Sequence, residues 1–333
     1  MYKNLLFNQF KQLVRGSAES EHFNVISLPE LDHKLGVSNE GFPKFFVCTN
    51  SSISSTPNIV REILSVEYNL PCTLVEDNNE QNEDFYTIIT LRNLDEPLQA
   101  YFIDIFVMML KKLPPIPSKR ELSIEIESLI TIFSALTKTP IKEVQGLWAE
   151  LLVIEQSLHP ETLIQAWHDE PSTKYDFTMG RDKIEVKSTS SEERIHRFSL
   201  DQLNPTPNSQ LLIASVIVRD SAKCSGGLSV RNLYDKICSR VTALNARLKL
   251  SSIMAKTIGN DYKKIDNVFF DYVGACDTLA YFDYNDVPRI RKSEVPEFVF
   301  DVKFHSNLSH LTDIKNTKSV FDRSTSSLYK SLF

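Results

Sequence analysis

The segment "YDFTMGRDKIEVK" (residues 175–187) predicts a tight β-hairpin, whose register constrains how the neighbouring chain can fold. Its centre, Gly180-Arg181, is typical of a two-residue hairpin loop with glycine in the first position. The two strands then pair outward from this loop, beginning with Met179 opposite Asp182. This register assigns each side chain of the segment to one of the two faces of the hairpin.

The two faces of this hairpin differ in chemistry. One face is apolar and is expected to pack against the core; it carries Tyr175, Phe177, Ile184 and Val186. On the other face Asp176 lies directly opposite Glu185, and Lys187 follows on the same side. Two carboxylates held opposite each other repel, which destabilises the hairpin by roughly some tenths of a kcal/mol.

A divalent cation between the two carboxylates would turn this repulsion into a metal site. Mg²⁺ binds one or two carboxylates, keeps several waters and accepts phosphate oxygens. A lysine beside it can orient a water molecule or offset the negative charge that builds on a phosphate. A metal ion, a pair of carboxylates and a lysine together are the groups needed to hydrolyse a phosphodiester bond. The alternative is a solvated hairpin face that mixes Glu and Lys, which is common and has no catalytic role.

The first half of the chain divides by its hydrophobic pattern into two regions. Residues 1–93 contain short β-branched and aromatic runs, such as "KFFVCT" (44–49) and "FYTIITL" (85–91), and predict a small β-rich domain. Residues 94–140 have apolar residues at helical spacing and predict a helical connector. The second helix of this connector is expected to begin at Ser118 with a capping box.

The pattern of residues 141–333 predicts an α/β domain in which a sheet is flanked by helices. An apolar helix covers residues 141–158, and "QLLIASVIV" (210–218) is apolar enough for a strand that is buried on both faces. A long helix over residues 229–250 and a strand over residues 297–305 follow. The whole chain is therefore expected to be α+β, with the smaller β-rich domain first.

Composition and missing motifs exclude several classes of protein. The five cysteines are scattered and odd in number, which favours a reducing cytoplasm over a disulfide framework. The longest apolar run, residues 101–110, is far short of the roughly 20 residues that a membrane span needs. The net charge of −6 implies that any contact with nucleic acid is local, or is supplied partly by a partner or a metal ion. Phosphate-loop, dinucleotide-binding, serine-hydrolase and zinc-protease motifs are absent from the sequence.

Several motifs occur in an order that resembles one nuclease superfamily. The element Asp176…Glu185-Val-Lys187, with a helix glutamate upstream, resembles the active site of PD-(D/E)XK nucleases, although tyrosine replaces proline before Asp176. Within this superfamily the chain is similar to a bacterial "PD-(D/E)XK motif protein" family found near restriction–modification and anti-phage defence genes. The similarity is carried by "GLWAELLVI" (146–154), "AWHDE" (166–170), "YDF" (175–177), "IEVKST" (184–189) and "SLDQL" (199–203). It implies a restriction-endonuclease-like mixed sheet flanked by helices.

The resemblance implies a role for individual residues. Asp176 and Glu185 would bind Mg²⁺ or Mn²⁺, with the carbonyl of Val186 as a third ligand. Lys187 would position the attacking water. The resemblance also implies a helix carboxylate that approaches the site and a glutamine that supports it; these are Glu150 and Gln202.

Periodicity and motif select different glutamates of the helix over residues 141–158. On a helical wheel Glu155 lies deeper on the apolar stripe, beside Trp148 and Leu152, so periodicity alone selects it as the buried carboxylate. The motif selects Glu150, which lies at the edge of the apolar stripe. We therefore assign Glu150 to catalysis and expect Glu155 to form a structural ion pair.

Candidate contacts to nucleic acid lie in two places. His168 could approach the site as a proton donor or phosphate contact, although a loop-anchoring histidine is the more frequent case. Lys236, Arg240 and Arg247 line one flank of the long helix over residues 229–250 and could follow a phosphate backbone. The alternative for this row is a plain soluble helix surface.

Taken with the resemblance, these features predict a Mg-dependent endonuclease of DNA that acts in restriction or phage defence. DNA and other proteins of a defence system are the expected partners, and the oligomeric state stays open, a homodimer included. The rival hypothesis is a DNA-binding or assembly subunit that keeps the nuclease fold without activity. The intact set of Asp176, Glu185 and Lys187 favours the enzyme, and the negative net charge slightly favours the rival.

Overall fold

The computed structural model describes six stretches of the chain, and it divides the chain into two compact units. The described residues are 5–15, 22–49, 57–76, 81–168, 173–315 and 326–333. The units are Met1–Thr137 and Lys138–Phe333, so the helices predicted as a connector lie in the first unit. Among the residues described, no helix has both the length and the apolar character that crossing a bilayer requires.

The sheet of the first unit is almost entirely antiparallel and closes on itself. Its strands are β1 (His22–Ser27), β2 (Lys34–Val37), β3 (Pro43–Val47), β4 (Ile59–Val60), β5 (Leu64–Val75) and β6 (Gln81–Leu91). They are ordered β1-β2-β3-β6-β5-β4, and β1 also pairs in parallel with β5. The aromatic and β-branched runs of the sequence therefore form strands, as predicted, and buried side chains such as Phe45 and Ile89 form their core.

Three helices belong to the first unit within the described residues: α1 (Leu5–Gln12), α2 (Glu96–Leu110) and α3 (Lys119–Ala135). The predicted capping box at the start of α3 is confirmed. The hydroxyl of Ser118 accepts the backbone N–H of Glu121, and the carboxylate of Glu121 accepts the backbone N–H of Ser118. This reciprocal pair satisfies two backbone donors that a helix start otherwise leaves without partners.

The second unit is a mixed α/β arrangement around a four-stranded sheet. Its helices are α4 (Val144–Gln156), α5 (Pro160–Ala166), α6 (Val230–Arg240), α7 (Leu244–Ile258), α8 (Lys264–Asn267) and α9 (Tyr272–Thr278). Its strands are β7 (Phe177–Met179), β8 (Asp182–Thr189), β9 (Ile195–Ser199), β10 (Gln210–Ile217), β11 (Asp220–Ser221), β12 (Leu228–Ser229), β13 (Phe269–Phe270), β14 (Ala280–Asp283) and β15 (Lys303–Asn307).

Two strands at the centre of this sheet position the acidic residues. The sheet has the order β14-β10-β8-β7, with β8 and β10 parallel and both outer pairs antiparallel. Helix α4 packs against β8 and against α6, and α9 packs against β10. Strand β10 is buried along almost its whole length, as its apolar sequence predicts. Two smaller antiparallel sheets, β11-β13-β12 and β15-β9, complete the unit.

The predicted hairpin is confirmed in its loop and register. Strands β7 and β8 pair Met179 with Asp182, and Gly180 has a φ of 58°, as the first residue of such a loop requires. The ladder ends earlier than predicted, because β7 begins at Phe177. Tyr175 packs instead in a cluster with residues that include Leu211 and Phe198, so its predicted pairing with Val186 does not form. The predicted pairing of Asp176 with Glu185 is also absent from the ladder, because Asp176 precedes β7.

The prediction of one long helix over residues 229–250 is wrong, because the helix is interrupted between α6 and α7. Ser229 caps α6 as predicted, but Val241 is extended and ends that helix. The carboxylate of Glu161 accepts the backbone N–H groups of Thr242 and Ala243 at 2.9 and 3.2 Å. A partner from elsewhere in the fold thus satisfies two backbone donors of the linker between α6 and α7, which a local helical pattern cannot reveal.

The strand predicted over residues 297–305 is correct only at its end. Strand β15 begins at Lys303 and pairs with β9, whereas residues 297–302 lie outside any strand. Phe298 and Asp301 have φ angles of 67° and 54°, which no β-strand accommodates. The alternating sequence therefore predicted a strand where the backbone turns instead.

Candidate active site

A cleft of about 610 Å³ in the second unit gathers most of the residues singled out from the sequence. Helix α4, the β7–β8 hairpin and the turn after β9 supply its walls. The cleft is lined by these predicted residues: Glu150, His168, Asp176, Glu185, Val186, Lys187 and Gln202. Side chains that lie up to 52 positions apart in the sequence, from Glu150 to Gln202, thus meet in one place.

Asp176 lies just before β7 and reaches across to β8. Its Oδ2 accepts the backbone N–H of Val186 at 2.8 Å, and its backbone carbonyl accepts the N–H of His168 at 2.9 Å. The side chain is buried, with 8% of the residue surface exposed. Because a backbone donor holds one oxygen, Asp176 presents a fixed carboxylate to the cleft beside Glu185.

Glu185 points into the cleft from the middle of β8 and is held from two sides. Its Oε1 accepts Nζ of Lys187 and Nε2 of Gln202, each at 2.6 Å. The amide oxygen of Gln202 in turn accepts the backbone N–H of Ser199 at 3.1 Å. Gln202 thus fixes the orientation of this carboxylate. Its supporting role in catalysis stays a prediction.

Both glutamates singled out on α4 are buried, but only one faces the cleft. Oε2 of Glu150 accepts the indole N–H of Trp167 at 2.7 Å within the cleft wall. Glu155 lies outside the cleft, where it accepts the hydroxyl of Tyr272 at 2.9 Å and pairs with Lys236 at 3.3 Å. The structure is thus consistent with both assignments, a cleft carboxylate for Glu150 and a structural ion pair for Glu155.

Lys142 is the residue of the site that the sequence did not reveal. Its ammonium group lies 2.5 Å from Oε1 of Glu150 and 2.5 Å from Oδ1 of Asp176, so it bridges the two carboxylates. The residue precedes the first turn of α4 and belongs to no motif or helical stripe. Its contact with Asp176 spans 34 positions, and no local spacing could have indicated it.

Burial and mutual repulsion perturb the ionisation of this cleft. Burial, followed by the charge of Asp176, raises the pKa of Glu150 to about 8 and that of Glu185 to about 7. Burial alone would lower the pKa of Lys142, but the charges of Glu150 and Asp176 outweigh it and raise the pKa. Burial and the charge of Asp176 thus favour the protonated forms of Glu150 and Glu185 near neutral pH.

The donor set of the cleft fits a divalent cation. Within the described part of the chain, no three His, Cys, Asp or Glu side chains form a ready-made metal cluster. Mg²⁺, however, typically takes only one or two carboxylates and fills its other positions with waters and substrate oxygens. Asp176 and Glu185, with the Val186 carbonyl, are the residues that would hold it. Such an ion would supply positive charge beside the buried carboxylates of the cleft.

The predicted basic row is not part of the cleft, and its groups bind within the chain. Arg240 donates to the backbone carbonyls of Glu155 and Ser157, at the end of α4. Arg247 donates to the carbonyls of Val241 and Cys238 at 2.7 and 2.8 Å. Lys236 pairs with Glu155, as described above. All three basic side chains therefore make contacts that hold α4, α6 and α7 together.

The fold and the site together define a nuclease-like α+β protein, with a β-rich first unit and an acidic cleft on a mixed sheet. Residues 8–309 match the model of a family described as "Putative PD-(D/E)XK family member, (DUF4420)". The chain belongs to this family, and the resemblance seen in its motifs is confirmed. Searches of the curated proteins and of the solved structures found no match to it.

Proposed function

We propose that the protein is a Mg-dependent endonuclease that hydrolyses phosphodiester bonds of DNA in bacterial restriction or anti-phage defence. The observation that supports this function best is the cleft itself. It brings Asp176, Glu185 and Lys187 together with Glu150 and Gln202, in a protein whose family is PD-(D/E)XK-like. The choice of DNA and of a role in defence rests on the resemblance to families near restriction–modification genes.

Each cleft residue has a role that its contacts support. Mg²⁺ or Mn²⁺, bound by Asp176, Glu185 and the Val186 carbonyl, would act as a Lewis acid on the phosphate and lower the pKa of a bound water. Lys187 is fixed by Glu185 and lies 5.2 Å from the ring centroid of Phe198, so its ammonium group has a defined place in the cleft. From there it orients the attacking water and offsets charge on the phosphate.

The decisive experiment is a cleavage assay on plasmid and phage DNA with Mg²⁺, Mn²⁺ or EDTA, repeated with the proteins encoded beside this one. Asp176→Asn, Glu185→Gln and Lys187→Met are each expected to abolish cleavage in a folded protein. Glu155→Gln is the matched control, because Glu155 is a buried carboxylate of the same unit outside the cleft. Full activity in all three cleft variants would refute the nuclease assignment.

The second candidate function is a binding or assembly subunit that keeps the nuclease fold. The bridge of Lys142 between Glu150 and Asp176 favours it, because an ammonium group already neutralises part of the cleft. Wild-type protein that binds DNA but cleaves neither DNA nor RNA with any of the metals and partners above would establish this alternative. Cleavage of RNA but not of DNA would instead correct the substrate.

A further inference from the structure

A second pocket, of about 510 Å³, adjoins the cleft and is strongly basic. Lys174 lines both pockets, so the two are continuous along one side of the second unit. Among the described residues that line the second pocket, four are cationic and none is a carboxylate; the cations are Lys174, Arg289, Arg291 and Lys292. In a protein with a net charge of −6, such a local excess of positive charge needs an explanation.

The wall of this pocket is built by one asparagine that joins two loops. The side-chain amide of Asn204 donates to the carbonyls of Leu200 and Ile290 at 2.8 and 3.0 Å. Its side-chain oxygen accepts the backbone N–H of Lys292 at 3.3 Å, and its backbone carbonyl accepts Nζ of Lys174 at 3.1 Å. Asn204 therefore holds the loops that carry the cations in a defined arrangement.

The cations outnumber the carboxylates that lie close to them. Asp201 pairs with Lys292 at 2.8 Å, with both side chains more than half exposed, and Glu294 accepts the backbone N–H of Arg291 at 2.6 Å. Arg289 is held against the ring of Tyr284, with its guanidinium carbon 4.9 Å from the ring centroid. Counting these two carboxylates against the four cations leaves an excess of two positive charges.

The same excess affects Lys174, which stands between the two pockets. Burial lowers its pKa, and the ammonium groups of Lys292 and Lys183 lower it further, although Asp201 acts in the opposite direction. Its ammonium group donates to the backbone carbonyl of Asn204 rather than to a carboxylate. An anion placed beside Lys174 would relieve the repulsion among these cations. The carboxylate of Asp201 relieves it only in part.

We propose that this basic pocket, which we call the Lys174 pocket, binds a backbone phosphate of the nucleic acid that flanks the phosphate in the cleft. The proposal rests on the proposed function, because it gives the substrate strand a direction from the cleft past Lys174 towards Arg291 and Lys292. Contacts to phosphate carry no base information, so this pocket contributes affinity and position without sequence specificity. The row Lys236, Arg240 and Arg247 stays a separate prediction.

The test is the salt dependence of DNA binding, measured by fluorescence anisotropy with a fluorescein-labelled duplex in EDTA. Removing one phosphate contact lowers the slope of log K against log salt concentration by about one. The variant Lys174→Gln/Arg291→Gln/Lys292→Gln is expected to bind more weakly and to lose about one unit of slope, because the pocket holds one phosphate. The matched control is Lys223→Gln/Lys303→Gln/Lys330→Gln, which removes three exposed lysines of the same unit that line neither pocket.

Each outcome bears on one proposal or the other. A smaller slope in the pocket variant and an unchanged slope in the control support the phosphate site. Equal slopes in both variants and in the wild type overturn it, while wild-type cleavage activity would leave the proposed function intact. Absence of DNA binding and of cleavage in the wild type would overturn both. If the triple variant is unfolded by circular dichroism, Arg291→Gln/Lys292→Gln, which changes two exposed residues, decides the question by the same slopes.

Discussion

Lys142 lies between Glu150 and Asp176, so its ammonium group competes with any cation that binds to these carboxylates. A divalent ion that binds through Asp176 must share or displace the ammonium group, because both need the same carboxylate oxygens. The lysine side chain is 37% exposed, so it has room to move towards solvent when it is displaced. The resting cleft is thus stabilised by a charge of the chain itself.

This competition predicts that removing the ammonium group strengthens metal binding. Lys142→Met should lower the free energy of unfolding without metal by about 2 kcal/mol, since it leaves two buried carboxylates without their charged donor. The same variant should bind Mn²⁺ more tightly, as measured by isothermal titration calorimetry and by the shift of the melting temperature. A cation that binds only the folded state adds about 2.7 kcal/mol at a hundredfold excess over its Kd.

Lys142→Arg is the control for this prediction, because it keeps the positive charge at the bridge. It should resemble the wild type in metal affinity more closely than the methionine variant does. Mn²⁺ affinity that is equal or weaker in Lys142→Met would show that the lysine does not compete with the ion. Sodium chloride at matched ionic strength separates specific binding from screening.

His196 predicts how stability changes in mild acid. The ring is 3% exposed and lies 2.7 Å from the hydroxyl of Ser215; burial, then Lys187 and Arg194, lower its pKa to about 4. An unfolded histidine titrates near 6.5. The unfolded state therefore takes up the extra proton as the pH falls from about 6.5 to about 4, and the folded state loses stability by up to about 3 kcal/mol.

The measurement is urea unfolding of the wild type and of His196→Gln at pH 7 and pH 5. The wild type should lose more stability than the variant over this interval, since the glutamine keeps a hydrogen-bonding group but does not titrate. Taking the difference between the two proteins removes the contribution of the raised carboxyl pKa values in the cleft, which has the opposite sign. Identical losses in both proteins would contradict the neutral, buried state of the ring.

At the scale of elements, two glycines of the second unit are expected to respond in opposite ways to replacement by alanine. Gly180 has a φ of 58° in the hairpin loop, whereas Gly146 is in α4; a Cβ at either position meets nothing within 4 Å. Gly180→Ala should therefore destabilise by about 1–2 kcal/mol through the left-handed backbone alone. Gly146→Ala should stabilise by about 0.5–1 kcal/mol, because alanine favours the helix.

Chemical denaturation of both variants tests this pair, and each serves as the control for the other. A neutral Gly180→Ala would mean that the loop does not need its positive φ. Gly146 also lines the cleft, so its variant has a second readout. If Gly146→Ala is more stable but cleaves DNA more slowly, the substrate approaches the helix backbone at this point.

The elements that sequence predicted well are those whose determinants are local. The hairpin follows from Gly180-Arg181 and the start of α3 from Ser118 and Glu121, because loop and cap chemistry act over a few residues. The break between α6 and α7 depends on Glu161, more than 80 positions away, and no local pattern contains it. The same limit hid Lys142, whereas Glu185 and Lys187 were found because they share one strand.

At the scale of the whole molecule, the cleft and the Lys174 pocket both lie in one of the two units. Every residue that lines the cleft or the Lys174 pocket belongs to Lys138–Phe333. Both tryptophans of the sequence, Trp148 and Trp167, are buried in that unit, and Trp167 contacts Glu150 directly. Tryptophan emission therefore reports on the unit that carries the cleft and not on the first unit.

This distribution predicts the behaviour of a fragment. Residues 138–333 expressed alone should fold, with the same tryptophan emission as the full chain, because the core and cleft residues of this unit lie within it. Mn²⁺ should raise the midpoint of urea unfolding by the same amount in the fragment and in the full chain, with unfolding monitored by tryptophan emission. Far-ultraviolet circular dichroism, which sees both units, serves as the comparison. A metal response only in the full chain would show that the first unit is needed to form the site.

Strand β8 has neighbours on both sides, β7 and β10, and this position limits how the segment can change over evolutionary time or by design. Glu185 and Lys187 reach the cleft because they are two apart on this strand. Inserting or deleting a single residue between the loop and Glu185 would turn both side chains to the opposite face. The segment can thus vary in composition but not in length, whereas the exposed residues 190–193 that follow it can accept insertions.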